Sequence, residues 1–188
     1  MVLPDMIEIG TIPHTVVDFD NTTHPQTMIS YVVHERKKRR EMYKITRKYS
    51  FSAAHRIEGH PKCGRLHGHN YEVTVELSGN HLPPDGMLMD YARLDDFVKP
   101  IIQLMDHRYI VSQSNHAAND PYEQVALMRG DIYPLNCPAS TAEYLALFLH
   151  EEIMAGFWDE TMAITRNQLR VTVQETEKST ATYETEDE

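Results

Sequence analysis

The chain has 188 residues, enough for one domain with a sizeable core and short for two, and its formal net charge of −10 argues against a general nucleic-acid binder, which needs a basic surface to neutralise phosphates. No apolar run approaches the length that crosses a bilayer, and the start "MVLPDMIEIG" lacks the basic and apolar stretches of a secretory signal. Two cysteines, Cys63 and Cys137, cannot make a disulfide framework, so the expectation is a soluble, cytoplasmic protein with free thiols.

Residues 1–42 mix Pro, Asp, Asn and Thr with short apolar pieces such as "TVVDF" and "ISYVV", show no sustained period, and are set apart as an N-terminal extension of unknown role. The extension ends in the basic run "HERKKRRE" (34–41), taken as a solvated helix face or linker in preference to a nucleic-acid contact. From Tyr43 the pattern is regular. Tyr43, Ile45, Tyr49, Phe51 and Ala53 alternate with polar residues, and Tyr71, Val73, Val75 and Leu77 do the same, predicting two antiparallel strands, each with one buried face.

A turn at "GNHLPPDG" and a short extended "MLMD" precede a helix carrying Leu94, Phe97, Val98, Ile101 and Met105, with a kink expected at Pro100. Between 111 and 138, "QVALM" and "DIYPL" suggest extended segments around a turn at "RGD". A second helix follows, with Ser140 and Glu143 as its capping box and Leu145, Phe148, Leu149 and Ile153 as its apolar stripe. The strand "QLRVTVQET" buries Leu169, Val171 and Val173, a last extended piece lies near "TATYE", and the acidic tail frays. Residues 43–188 thus describe an α+β domain, an antiparallel sheet with two helices on one face.

Chemistry concentrates in three histidines. His55 shares the parity of Phe51 and Ala53, while His67 and His69 share that of Tyr71 and Val73, so all three rings emerge from the buried face if the strands run without a bulge. A His-x-His pair can grip one ion, and Gly68 between the two admits close backbone approach. Three neutral imidazoles suit Zn²⁺ and leave a fourth position open for water or substrate. Two other readings stand beside this one: a pair of histidines bonded to backbone in a turn, and a closed structural site completed by Cys63.

Taken in order, "FSAAHR" (51–56), "KCGRLHGHNYEVTVELSG" (62–79), "MDH" (105–107), "STAEYLA" (140–146) and "VQET" (173–176) resemble the 6-pyruvoyltetrahydropterin and 6-carboxytetrahydropterin synthase family over about residues 43–185. The resemblance implies a tunnelling fold (T-fold), in which sheets join between subunits into a β-barrel, as a trimer-based homo-oligomer, usually a hexamer. It implies zinc on His55, His67 and His69, Cys63 as the catalytic base, and Asp106 with His107 as its partner pair. It also implies Glu175 as the pterin anchor, with Thr176 beside it and Thr141 and Glu143 near the same pocket across a subunit boundary. On the residues alone, Glu143 is explained by the capping box, and Asp106 and His107 by the end of a helix. Cys137 is read as a packing residue.

The implied substrate is 7,8-dihydroneopterin triphosphate, with zinc acting as Lewis acid and Cys63 removing a carbon-bound proton. Three residues separate Cys63 from His67, which resembles the carboxy branch, whose reaction releases triphosphate and acetaldehyde and gives 6-carboxytetrahydropterin on the route to queuosine and other 7-deazaguanines. The pyruvoyl branch and a non-catalytic zinc-containing pterin-binding module are the alternatives. Ser140 before Thr141 departs from the family's usual Pro-Thr pair, and Lys62, Arg65 and Arg56 are triphosphate candidates by proximity.

Overall fold

The computed structural model describes residues 11–16, 28–33, 42–112, 121–159 and 164–186. The chain divides into two units, Met1–Arg40 and Glu41–Glu188. In the first, β1 (Thr11–Val16) pairs antiparallel with β2 (Met28–Val33), so "TIPHTV" and "MISYVV" form backbone-paired strands where the sequence shows no sustained period. The basic run 34–41 lies outside the described residues, apart from the unit boundary it spans.

The second unit is a six-stranded sheet in the order β6-β5-β3-β4-β7-β8. Its centre is the pair β3 (Tyr43–His55) and β4 (His67–Gly79), antiparallel from Tyr43↔Gly79 to His55↔His67 without a bulge. Next to β4 lies β7 (Leu169–Thr176), followed by β8 (Ser179–Glu184), both antiparallel to their neighbours. On the other side, β5 (Arg108–Ser112) runs parallel to β3 and β6 (Ile132–Leu135) parallel to β5. Three helices complete the described unit: α1 (Tyr91–Met105), α2 (Pro121–Arg129) and α3 (Ala142–Asp159).

The expected antiparallel sheet with two helices is therefore the portion β3-β4-β7-β8 with α1 and α3. Residues 108–135 enlarge it: β5, α2 and β6 form a parallel crossover, so the whole sheet is mixed. "QVALM" is helical in α2, contrary to the extended reading, whereas "IYPL" is the strand β6 and Gly130, at φ 72°, turns between them. "MLMD" forms no strand; Asp90 ends it as the cap of α1, its side chain accepting from the Ala92 amide. Pro100 is accommodated inside α1. The capping box at Ser140 is not formed. The first turn closes by the Leu145 amide donating to the Thr141 carbonyl, so α3 begins one residue too late, and the Ser140 hydroxyl instead donates to the Arg56 carbonyl, 3.0 Å away.

Alternation along β3, β4 and β7 turns Tyr49, Phe51, Tyr71, Val73, Val75, Leu77, Val171 and Val173 to one face, where α1 packs on β3 and α3 on β7 and β8. Leu94, Val98, Ile102 and Met105 from α1 meet Leu145, Leu149, Ile153 and Phe157 from α3 over this face, and Cys137 belongs to the same core. No described helix is long and apolar enough to cross a membrane.

Asp95 is one of the buried polar groups of this unit. Asp95 on α1 accepts both guanidinium bonds of Arg47 (2.9 and 2.7 Å) and the Tyr49 hydroxyl (2.9 Å), and pairs with Lys99 at 2.9 Å. Arg47 and then Lys99 hold its carboxyl well below the usual carboxylate range. Asp95→Ala leaves Arg47 and Tyr49 without their acceptor, and urea denaturation near neutral pH is expected to show a loss of about 1.5–3 kcal/mol. Because the folded-state pKa is depressed, this contribution is complete above the ordinary carboxylate range and fades as pH falls through the lowered folded value, so the gap between the two proteins narrows below about pH 4.

Candidate metal centre

The face that carries the core carries the histidines at its end. His55 is the last residue of β3, with no exposed surface, and lies directly opposite His67, the first of β4, while His69 pairs with Ala53. Gly68 falls opposite Ala54, and a Cβ there would meet the Ala53 carbonyl oxygen at 3.0 Å, so the residue between the two histidines is held to minimal size by backbone approach. The ring centroids stand 4.6 Å (His55–His67), 5.2 Å (His55–His69) and 5.0 Å (His67–His69) apart. One nitrogen from each ring lies within 4.8 Å of the others.

Hydrogen bonds decide which nitrogen faces inward. His55 Nδ1 meets the Ser140 carbonyl at 2.7 Å and His67 Nδ1 meets the Arg65 carbonyl at 2.7 Å. A carbonyl can only accept, so each Nδ1 carries the proton and each Nε2 presents a lone pair. Burial lowers the pKa of His55 as its largest effect, which favours the neutral ligating form. His55 Nε2 and His69 Nε2 are both buried without a hydrogen-bond partner, and so is Glu175 Oε1, 3.3 Å from the former and 3.6 Å from the latter. A cation between these converging buried atoms would satisfy them. Zinc fits this donor set: three imidazoles, two of them, His55 and His67, with the outer nitrogen held by a carbonyl.

Cys63 is not a member of this ligand group, so the closed Cys-His₃ site is not formed. It occupies the loop between β3 and β4, where its amide donates to His60 Nδ1 (2.9 Å) and its carbonyl accepts from Ile57 (2.8 Å), with its thiol half-buried and free. Gly64 is required for this loop, since a Cβ there would come within 2.6 Å of the His60 carbonyl oxygen.

Asp106 and His107 follow α1. The Asp106 carboxylate accepts from the Ser52 amide at 2.8 Å and meets His107 Nδ1 at 2.9 Å, while the His107 amide donates to the Ser52 carbonyl at 2.7 Å. The Ser52 amide first, then the His107 ring, lower the Asp106 pKa. His107 takes a left-handed backbone, φ 58°, which is costly for a residue with a side chain and common where geometry is imposed for function. A helix-end explanation does not require these bonds to β3. His69 and His107 both line an open cleft of about 510 Å³, with Ser52, Gly68, Asn70 and Tyr109 among its walls.

Glu175 shares the parity of Val171 and Val173 on β7, and the β7–β8 register shifts between Gln174 and Thr176 on either side of it. Thr176 is exposed, with its hydroxyl accepting from the Lys178 amide. Thr141 is half-buried at the start of α3 beside Ser140, and Glu143 is exposed on its first turn. Neither makes a hydrogen bond or ion pair with the histidines among the described residues.

Sequence reasoning missed three participants. The Ser140 and Arg65 carbonyls that set the ring tautomers leave no trace in residue type. Tyr71, fully buried, places its ring against His69 (5.5 Å) and His55 (6.1 Å) with its hydroxyl unpartnered; burial, then the Glu175 charge, raises its pKa. Its parity with His69 was the available signal. If the three rings share one ion, His55→Ala, His67→Ala and His69→Ala each lower bound zinc from one per chain to under about a tenth, as read by elemental analysis after dialysis.

A profile of the 6-pyruvoyl tetrahydropterin synthase family matches residues 44–186. A 6-carboxy-5,6,7,8-tetrahydropterin synthase of Haemophilus influenzae is 32% identical over 139 residues, covering 68% of this chain and 92% of that protein. The Rickettsia typhi protein of the same name is 33% identical over 131 residues, covering 68% and 93%. A putative 6-carboxy-5,6,7,8-tetrahydropterin synthase of Archaeoglobus fulgidus is 47% identical over 64 residues, 34% of this chain and 55% of that protein. Among solved structures, 6-pyruvoyl tetrahydropterin synthase of Plasmodium vivax superimposes with TM-score 0.58 at 24% identity, covering 76% of this chain and 97% of the other. The Caenorhabditis elegans enzyme does so with TM-score 0.55 at 26% identity, covering 79% and 99%. The sheet and its helices are thus a T-fold, and the chain belongs to the 6-pyruvoyl tetrahydropterin synthase family.

Proposed function

We propose that the protein is a zinc-dependent 6-carboxy-5,6,7,8-tetrahydropterin synthase, converting 7,8-dihydroneopterin triphosphate and water to 6-carboxytetrahydropterin, acetaldehyde and triphosphate. The observation that carries the reading is the trio of Nε2-facing imidazoles at the end of the β3–β4 pair, with Glu175 turned toward them. Relatives of that name at 32–33% identity, and the three residues between Cys63 and His67, favour the carboxy over the pyruvoyl product.

When bound, zinc on His55, His67 and His69 supplies Lewis acidity toward the hydroxyls of the substrate side chain. Cys63 takes the adjacent carbon-bound proton. His107, oriented by Asp106 and open to the cleft, relays that proton, and the lowered pKa of Asp106 keeps it the charged, accepting partner. Glu175 receives the paired donors of the pterin ring, with Thr176, Thr141 and Glu143 completing the pocket.

Assembly belongs to the same reading. Among the described residues, 43–51 of β3 have β4 on one side and no strand on the other, β8 has only β7 and β6 only β5, so free edges are available for closing a barrel between subunits. In this reading residues 43–188 hold the active site, residues 1–42 are an extension to it, and the free thiols suit a cytoplasmic, reducing setting on a route to queuosine and other 7-deazaguanines.

Incubation of the zinc-loaded full chain with 7,8-dihydroneopterin triphosphate is expected to give the 6-carboxy product by mass spectrometry. A pyruvoyl product reassigns the branch, and no turnover contradicts the reading. Cys63→Ala is expected to lower kcat at least about 100-fold while keeping one zinc per chain; loss of metal with activity would show instead that Cys63 is structural.

A further inference from the structure

We propose that His60 is a positioning residue for Cys63: by capping the turn in which Cys63 lies, its ring fixes where the thiol is held between the strand that ends in His55 and the strand that begins with His67.

Residues 60–64 close one helical turn. The Gly64 amide donates to the His60 carbonyl at 2.9 Å, the i to i+4 bond of an α-turn, and the Cys63 amide donates to His60 Nδ1 at 2.9 Å. His60 thus stands where a helix cap stands. Pro61 takes the first position of the turn, which needs no amide donor, and Cys63 the third, whose amide a cap side chain accepts. Short oxygen-bearing side chains usually fill that role; here an imidazole does. A backbone amide can only donate, so Nδ1 carries no proton and the ring is the Nε2–H tautomer, opposite to that of His55 and His67. His60 also stands outside the group of three histidines that could hold an ion.

Both backbone groups of Cys63 are tied. Its amide is held by the His60 ring, and its carbonyl accepts at 2.8 Å from the amide of Ile57, two residues beyond His55. The His60 amide in turn donates to the Ile57 carbonyl at 3.1 Å. Of these bonds only the ring contact depends on a side chain. Gly64 gives the turn its room and His60 gives it its cap, so residue type at 60 decides how firmly residue 63 is held. Because His60 is exposed, its bond adds little to the stability of the fold; its effect is on placement. A reacting group misplaced by about 1 Å loses on the order of 100-fold in rate.

The proposal deepens the synthase reading, on which the role of Cys63 as base rests, so the test reads the thiol both with and without turnover. In the zinc-loaded full chain, His60→Ala is expected to lower kcat about 10- to 100-fold, with KM within about twofold, one zinc per chain and an unchanged urea midpoint. His60→Asn places a side-chain oxygen the same number of bonds from the backbone as Nδ1, and is expected to bring kcat back to within about threefold of wild type. Alkylation by iodoacetamide needs no turnover, and peptide mass spectrometry scores Cys63 apart from Cys137. Cys63 is expected to react at least about threefold faster in His60→Ala, as its half-buried thiol is released, and at the wild-type rate in His60→Asn. An unchanged kcat in an active enzyme, an alkylation rate that does not rise, or an asparagine variant that behaves as the alanine one overturns the proposal. A His60→Ala chain that loses its metal or does not fold shows a structural role and overturns it as well. Absence of turnover in the wild type sinks the synthase reading alone and leaves the placement of Cys63 to the alkylation rates.

Discussion

The antiparallel register between β3 and β4 is the constraint on which the site depends. It sets His55 opposite His67 and His69 two pairs deeper, on the face that carries Phe51, Tyr71, Val73, Val75 and Leu77. A slip of β4 by one residue would turn His67, His69 and its apolar row to the face opposite His55 and Phe51. Burying each large apolar side chain contributes about 1.5–3 kcal/mol, whereas each unsatisfied polar group in the cluster costs about 1–3 kcal/mol. The apolar rows of both strands outnumber the polar atoms they carry with them, so the core holds the three imidazoles together before any cation arrives.

Around that register, backbone atoms from distant segments complete the geometry. The Ser140 carbonyl, 85 residues along the chain from His55, and the Arg65 carbonyl each fix a ring tautomer. The Ser140 hydroxyl ties the approach to α3 onto Arg56, next to His55. Ser52 holds Asp106 and His107 through its amide and carbonyl, so this pair is anchored to the strand that ends in His55. The histidine cluster, the Asp106–His107 pair and the start of α3 are thereby positioned from one strand, β3.

Much of this was legible because strand parity is a strict two-residue code: His55, His67 and His69 could be assigned to one face from their spacing to Phe51 and Tyr71 alone. Where the period was short, the reading failed. "QVALM" offers four apolar residues in a row, which suit a buried strand or a helix equally, and in α2 Val125, Leu127 and Met128 are exposed, so no inward stripe marked it as helical. Ser140 and Glu143 had the spacing of a capping box, but the hydroxyl found a better-placed acceptor in a residue 84 positions away. The Asp95 cluster was invisible for the same reason: its partners Arg47 and Tyr49 lie 48 and 46 positions away, and spacing along the chain says nothing of side chains that meet only after folding.

The account stands most directly on where a metal sits. A crystal of the zinc-loaded full chain, with anomalous data collected on both sides of the zinc edge, is predicted to show one peak per chain, about 2.0–2.1 Å from Nε2 of His55, His67 and His69. A peak bound through Nδ1 of any of these rings, a peak that includes the Cys63 sulfur, or zinc located elsewhere would contradict it.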